Sequence, residues 1–269
     1  MSDLARSRFL LPLMFAVLAF GPVYAADEGA SPDTAIWRKV RADLFGERII
    51  EDDSAAGRIR LQIPARAADA AVVPLAIIVD EPVGKPPFKV YLIIDRNPSP
   101  IAAIFQFGEA SGNPQIETRV RIEEYTWVRV ITESADGLLR ATQQFIKAAG
   151  GCSAPAGKRL AQRLAGMGQM RWRVELPAVS AMPAVVQLMI RHPNNSGLAM
   201  DQLTRLYDPP YYVRSVRVTH GQDLVFAADI DFSISENPAF RFTVRPGAAA
   251  SMHAVVIDSN GQVFESSVP

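Results

Sequence analysis

One cysteine and three histidines among 269 residues leave little material for a reactive centre. A lone Cys152 excludes an internal disulfide, and it excludes the thiolate zinc sites that need several cysteines. His192, His220 and His253 stand far apart with no pair at metal-ligand spacing, so no metal is expected. A phosphate-binding P-loop, a dinucleotide-binding glycine fingerprint and a haem-attachment Cys-x-x-Cys-His are also missing, so no cofactor is expected. No carboxylate pair stands out from ordinary surface acids. Excess charge is absent too: 28 basic residues balance 28 acidic ones, which gives no general affinity for nucleic acid or anionic membranes.

Long apolar runs are absent as well. Residues 9–20 form the longest, well short of the roughly 20 residues that span a bilayer. Preceded by Arg6 and Arg8 and followed by the small-residue site Val23-Tyr24-Ala25, this run reads as an export signal covering residues 1–25. Its removal takes Arg6, Arg8 and Asp3 from the 28 of each sign and leaves 26 basic and 27 acidic residues. Ala26 and Asp27 follow the cleavage point where a lipoprotein would carry Cys, so no lipid anchor is indicated.

What is present is mostly strand pattern. A helix is expected over 33–48, where Asp33 or Thr34 can cap, Ile36, Trp37, Val40, Leu44 and Phe45 recur near helical spacing, and Gly46 terminates. The acidic run Glu51-Asp52-Asp53 reads as a solvated loop. From Arg58 the period changes to two, and strands are expected at 58–63, 72–79, 89–94, 101–107, 116–122, 126–132 and 138–147. Turns fall at Asn97-Pro98, Gly112-Asn113-Pro114 and Asp136-Gly137. Residues 148–168 then shift to Gly, Ala, Ser and Pro around Lys158, Arg159 and Arg163. Strands resume at 170–176, 185–191, 212–219, 224–235, 240–244, 253–258 and 262–266, the last after an Asn260-Gly261 turn. The expected fold is therefore all-β: two immunoglobulin-like β-sandwich domains with a short N-terminal helix, the first over 26–150 and the second over 169–269, joined by a Cys-bearing linker arm over 151–168.

An unpaired cysteine in an exported chain suggests reactivity or intermolecular pairing, against the plain alternative of a small buried hydrophobe. Its neighbours favour reactivity. Cys152 follows Gly150 and Gly151, which give the backbone the freedom of a tether, and Ser153, Ala154 and Ala156 are too small to cover the sulfur. Lys158 and Arg159 would support a thiolate if the loop folds back, because nearby positive charge lowers a thiol's pKa. All three histidines lie in the second half and read as structural, which disfavours a thiol enzyme. Tyr207, Tyr211 and Tyr212 around Asp208-Pro209-Pro210 fit either a partner surface or a packed proline turn.

These residues resemble the SoxYZ carrier of sulfur oxidation, whose SoxY subunit ends in a Gly-Gly-Cys-Gly-Gly arm. In the first half the resemblance rests on Trp37, Leu44-Phe45-Gly46, Asn97-Pro98-Ser99-Pro100, Thr118-Arg119-Val120-Arg121-Ile122, Asp136-Gly137 and Gly150-Gly151-Cys152. In the second, Ile190-Arg191-His192-Pro193 through Gly197, Ser235-Glu236-Asn237-Pro238-Ala239-Phe240-Arg241-Phe242 and Asp258-Ser259-Asn260-Gly261 look like SoxZ. The resemblance implies a periplasmic carrier, not an enzyme, with Cys152 as covalent attachment point for a small cargo and Gly150 and Gly151 as its flexible arm. It implies partners among periplasmic redox enzymes or cytochromes, of sulfur-oxidation type or associated with a quinoprotein dehydrogenase. The family's trailing glycines are Ser153 and Ala154 here, and the arm is held at both ends because the SoxZ-like half follows it. The other reading is a binding or scaffold module on a dehydrogenase, with Cys152 incidental or cross-linking.

Overall fold

The computed structural model describes residues 32–80, 88–154, 160–177, 179, 181–201, 205–246 and 251–269. Helix α1 (Ala35–Phe45) comes first, where the sequence places a helix. Thr34 caps it by accepting the Trp37 amide at 2.9 Å, and Gly46 ends it with φ +58° while donating to the Ala42 carbonyl. Fifteen strands and a second short helix, α2 (Leu160–Leu164), follow among the described residues.

The strands are β1 (Ile50–Asp52), β2 (Ile59–Gln62), β3 (Val73–Val79), β4 (Phe88–Ile94), β5 (Ile101–Phe107), β6 (Ser111–Val120), β7 (Thr126–Glu133) and β8 (Leu139–Ile146) before the 148–168 segment. After it come β9 (Met170–Glu175), β10 (Ala184–Ile190), β11 (Val213–His220), β12 (Asp223–Ile230), β13 (Ala239–Val244), β14 (Met252–Asp258) and β15 (Val263–Val268). They form two sheets, ordered β1-β8-β7-β4-β5-β12-β11-β14-β15 and β2-β3-β6-β13-β10-β9. The architecture is thus the all-β sandwich that alternation implies.

Both sheets run through both halves of the chain. β5 pairs antiparallel with β12, from Phe107↔Phe226 to Ala103↔Ile230, and β6 pairs with β13 through Glu117↔Arg241 and Ile116↔Phe242. Inside this seam Phe105, Phe226, Phe240 and Phe242 are at most 1% exposed and pack ring to ring at centroid distances of 4.9–6.4 Å. Burying one such side chain stabilises by about 1.5–3 kcal/mol, so the aromatic seam is a large share of what holds the halves together.

β4 is buried on almost every position because it is covered twice. Val90, Leu92 and Ile94 face the inter-sheet core, while Tyr91 and Ile93 face α1 and meet Val40 and Phe45. Beneath the helix cap, Arg129 and Asp95 form a buried pair at 2.7 Å, and Thr34 donates to the same carboxylate at 2.9 Å.

Three local expectations are corrected. The acidic run is not a solvated loop: Glu51 and Asp52 lie in β1, parallel to β8, and Asp53 is fully buried, accepting the Ile59 amide at 2.7 Å and Arg58 Nε at 2.8 Å. Its charge is tolerated because hydrogen bonds replace water. Gly112-Asn113-Pro114 lies within β6 and is no turn, since the register slips opposite it between Phe242 and Val244 and so accommodates a residue without an amide donor. The strand expected over 224–235 stops at Ile230, where Asp231 closes a turn by accepting the Phe232 amide on its side chain and the Ile234 amide on its backbone.

Candidate functional site

Cys152 sits where loops from both halves meet. The 121–123 segment after β6 is tied to Ala70 and to the 231–235 turn: the Ile122 amide donates to the Ala70 carbonyl at 2.9 Å, and the Arg121 amide to Ser233 at 2.7 Å. Asn97, 4% exposed, fastens this corner by donating to the Arg121 carbonyl and to Ser233 Oγ while accepting the Glu123 amide. The Arg121 guanidinium donates to the Phe232 and Ile234 carbonyls, both at 2.7 Å. A first-half arginine is thereby pinned to a second-half turn.

The chain leaving β8 adds itself to this corner. Gly150 donates to the Glu123 carbonyl at 2.8 Å and Gly151 to the Ile122 carbonyl at 2.9 Å. The two glycines serve different needs. Gly150 turns the chain at φ +80°, with open space where a side chain would be, whereas a Cβ on Gly151 would stand 2.1 Å from the Ala70 carbonyl oxygen.

Cys152 then follows in the shelter of both halves. Its amide and that of Ser153 donate to Glu123 Oε2 at 2.8 and 3.1 Å, and the Ser153 hydroxyl donates to Oε1 at 2.8 Å. From the second half, the Ser196 hydroxyl donates to the Cys152 carbonyl. Cys152 is 2% exposed, which corrects the expectation of an accessible sulfur. Small neighbours do leave a sulfur uncovered locally, but here the covering comes from elsewhere in the chain.

Burial pushes the Cys152 thiol up to about 12, and the Glu123 carboxylate adds to the rise; Arg121 opposes it and Asp231 reinforces it. The thiol is therefore protonated near neutral pH and a poor nucleophile in this position. Arg121 is itself lowered from the usual guanidinium value by burial, and Asp231 is raised by burial. Lys158 and Arg159, expected to support a thiolate, lie outside the described residues. The third member of that basic patch, Arg163, is buried and binds Asn195 and Asp208, so it pins α2 to the loop bearing Ser196.

The groups acting on the sulfur do not include a histidine. His192 is fully buried elsewhere in the second half: Nδ1 accepts the Asn194 amide, the ring packs edge-on against Tyr211 at 4.8 Å, and Nε2 stands 3.7 Å from Asp258 Oδ2. Burial holds it below the ordinary imidazole value. Among the described residues no group of three or more His, Cys, Asp or Glu side chains could hold a metal, and no helix is long and apolar enough to cross a membrane. A groove of about 760 Å³ on the outer side of the six-stranded sheet, between Ala76, Arg119, Met189 and Arg241, shares no residue with the surroundings of the thiol.

Glu123, Ser196 and Asp231 escaped the reading of the sequence. A signal was nonetheless there: the short motifs around Asn97, Arg121, Cys152, Ser196 and Ser235 lie far apart in sequence and converge on this one corner.

The comparisons bear on both halves. The family model for sulfur oxidation protein SoxY matches residues 41–152, and the model for sulphur oxidation protein SoxZ matches residues 175–269. Among solved structures, the sulfur carrier protein SoxY from Chlorobium limicola f thiosulfatophilum is similar at 20% identity and a TM-score of 0.34, over 41% of this chain and 94% of that one. A beta-glycosidase from Bacteroides vulgatus is similar at 7% identity and a TM-score of 0.23, over 78% of this chain and 24% of that one. A glucan-utilization protein, SGBP-B, from Bacteroides ovatus is similar at 12% identity and a TM-score of 0.22, over 81% and 45%. No curated protein matches the chain.

Proposed function

Because this chain belongs to the SoxY and SoxZ sulfur-carrier family, with both domains in one polypeptide, we propose that it carries a small sulfur-containing group covalently on Cys152 and presents it to redox partners. The observation that carries this reading is the position of the chain's one thiol. It is the last residue of the SoxY match, and it is gripped by Glu123 from the first half and Ser196 from the second. A carrier needs an attachment point that can be brought out to partners in turn, and Cys152 lies in a loop at the seam and not within a strand, although its sulfur is buried there.

The chemistry also says what kind of partner loads it. Where the second sulfur arrives as a reduced, thiol-like or sulfane group without a leaving group, joining the thiol sulfur to it releases the thiol proton and an electron pair, which the loading partner passes to an acceptor such as a cytochrome. Residues 1–25 support export, and the periplasm is the proposed compartment, with partners of sulfur-oxidation type or a quinoprotein dehydrogenase.

Intact mass of the protein from its native periplasm, before and after reduction, tests the reading. The expected result is an added mass on the wild type that reduction removes and that Cys152→Ser lacks. Unmodified wild-type protein under every growth condition overturns it. Burial of the sulfur favours the rival reading, a scaffold with Cys152 incidental; a scaffold keeps its function in Cys152→Ser and a carrier loses it.

A further inference from the structure

We propose that Glu123 is a latch that keeps the carrier thiol buried and unreactive, and that its release is the step that exposes Cys152; the inference rests on the carrier reading above and adds the control of its site. The geometry carries it. Glu123 holds the loop through two backbone amides and one hydroxyl, none of which involves the sulfur, so the grip is independent of what the sulfur bears. No large apolar side chain anchors the segment: its neighbours are Gly150, Gly151, Ser153 and Ala154, and the Ser153 side is exposed. Beside the burial of the small Cys152 side chain, retention of the loop falls to polar contacts, which water can replace at modest cost.

The same corner separates a fixed part from a movable part. Gly151 is wedged against the Ala70 carbonyl, at a distance that leaves no room for a methyl group, and is paired with Ile122. Beyond it, Cys152 and Ser153 are held to the rest of the protein by the Glu123 carboxylate and the Ser196 hydroxyl. Breaking those contacts frees the thiol while the sheets stay intact. Local opening of this kind draws on the low-stability end of a structure, where buried apolar contacts are few.

Charge completes the device. Among the described residues the charged groups acting on the sulfur are the carboxylates of Glu123 and Asp231 and the guanidinium of Arg121. Both carboxylates disfavour negative charge on the sulfur, which helps keep the thiol protonated while the loop is closed.

The test is the rate at which iodoacetamide alkylates the purified, unloaded chain at fixed neutral pH. Glu123→Ala should react roughly 10- to 100-fold faster than wild type, the scale expected for losing charge-assisted hydrogen bonds, and Glu123→Gln, which keeps one carbonyl acceptor, should fall between. Glu123→Ala reacting at the wild-type rate with an unchanged unfolding midpoint overturns the latch. If Glu123→Ala does not fold, amide hydrogen exchange in the wild type decides. Cys152 and Ser153 amides exchanging well before those of β4 support local opening, and exchange only with global unfolding overturns it. A null result here leaves the native-periplasm mass experiment unaffected, and an absent adduct there leaves this rate comparison intact, so the two readings fail separately.

Discussion

Two of the titratable side chains that the molecule buries in loops, Cys152 at the seam and His192 in the second half, are held in opposite ways. His192 is enclosed by side chains: Tyr211 packs on the ring and donates to Asp258 at 2.8 Å, and Asp258 also accepts the Asn260 and Gln262 amides, both at 2.9 Å. Cys152 is held by its backbone, through a half-buried carboxylate beside an exposed serine. Desolvation shifts both groups toward their neutral forms. Burial and a displaced pKa therefore do not by themselves separate a functional group from a structural one; what separates these two is whether the surrounding contacts can be undone without dismantling the core.

The largest expected effect lies on the structural side. Asp258→Ala removes the fully buried carboxylate that accepts the Tyr211 hydroxyl and the Asn260 and Gln262 amides, and should lower stability by on the order of 3 kcal/mol in urea unfolding. A loss below about 1 kcal/mol would mean that the second-half cluster is as loosely held as the thiol loop, and the contrast between the regions would fail.

A smaller effect sharpens the contrast within the Cys152 loop itself. Gly151→Ala places a methyl group against backbone, at the Ala70 carbonyl oxygen and the Ile122 amide, and should cost about 2 kcal/mol in unfolding free energy. Gly150→Ala meets nothing and bears only the strain of a left-handed backbone, about 1 kcal/mol. A simple flexible tether would make the two substitutions alike, so equal losses would restore the reading of both glycines as slack.

Much of the fold was legible. Alternation over 72–79 and 253–258 announces strands with one buried face, as β3 and β14 are, and the resemblance through Gly150-Gly151-Cys152 drew attention to the corner where loops of both halves meet. What was not legible depends on partners distant in sequence. Alternation says which residues of β5 and β12 face inward but not that these strands lie side by side. β1 is three residues long and charged, and exists through pairing with β8. The Gly-Gly pair looks the same in sequence whether it is a tether or a close approach, and only the Ala70 carbonyl decides between them. The side chains that hold the Cys152 backbone are those of Ser196, 44 positions away, and Glu123, 29 positions before it.

The smallest effect is a slope. Burial lowers His192 from its ordinary value of 6.5, while Asp258 and Asn194, the groups facing it, pull the other way and do not win. Between pH 6.5 and the lower folded value the unfolded chain binds a proton that the folded chain does not. The contribution of neutral His192 to stability is thus fully present above pH 6.5 and is lost as pH falls through that window. One proton limits the slope to about 1.4 kcal/mol per pH unit. His192→Gln retains an acceptor for the Asn194 amide without the proton, so its unfolding free energy should depend less steeply on pH below 6.5 than that of the wild type. Iodoacetamide reactivity of Cys152 in the same variant should follow the wild type. If the two properties move together, the histidine cluster and the thiol loop are one coupled element, and the division between a fixed and a releasable region is wrong.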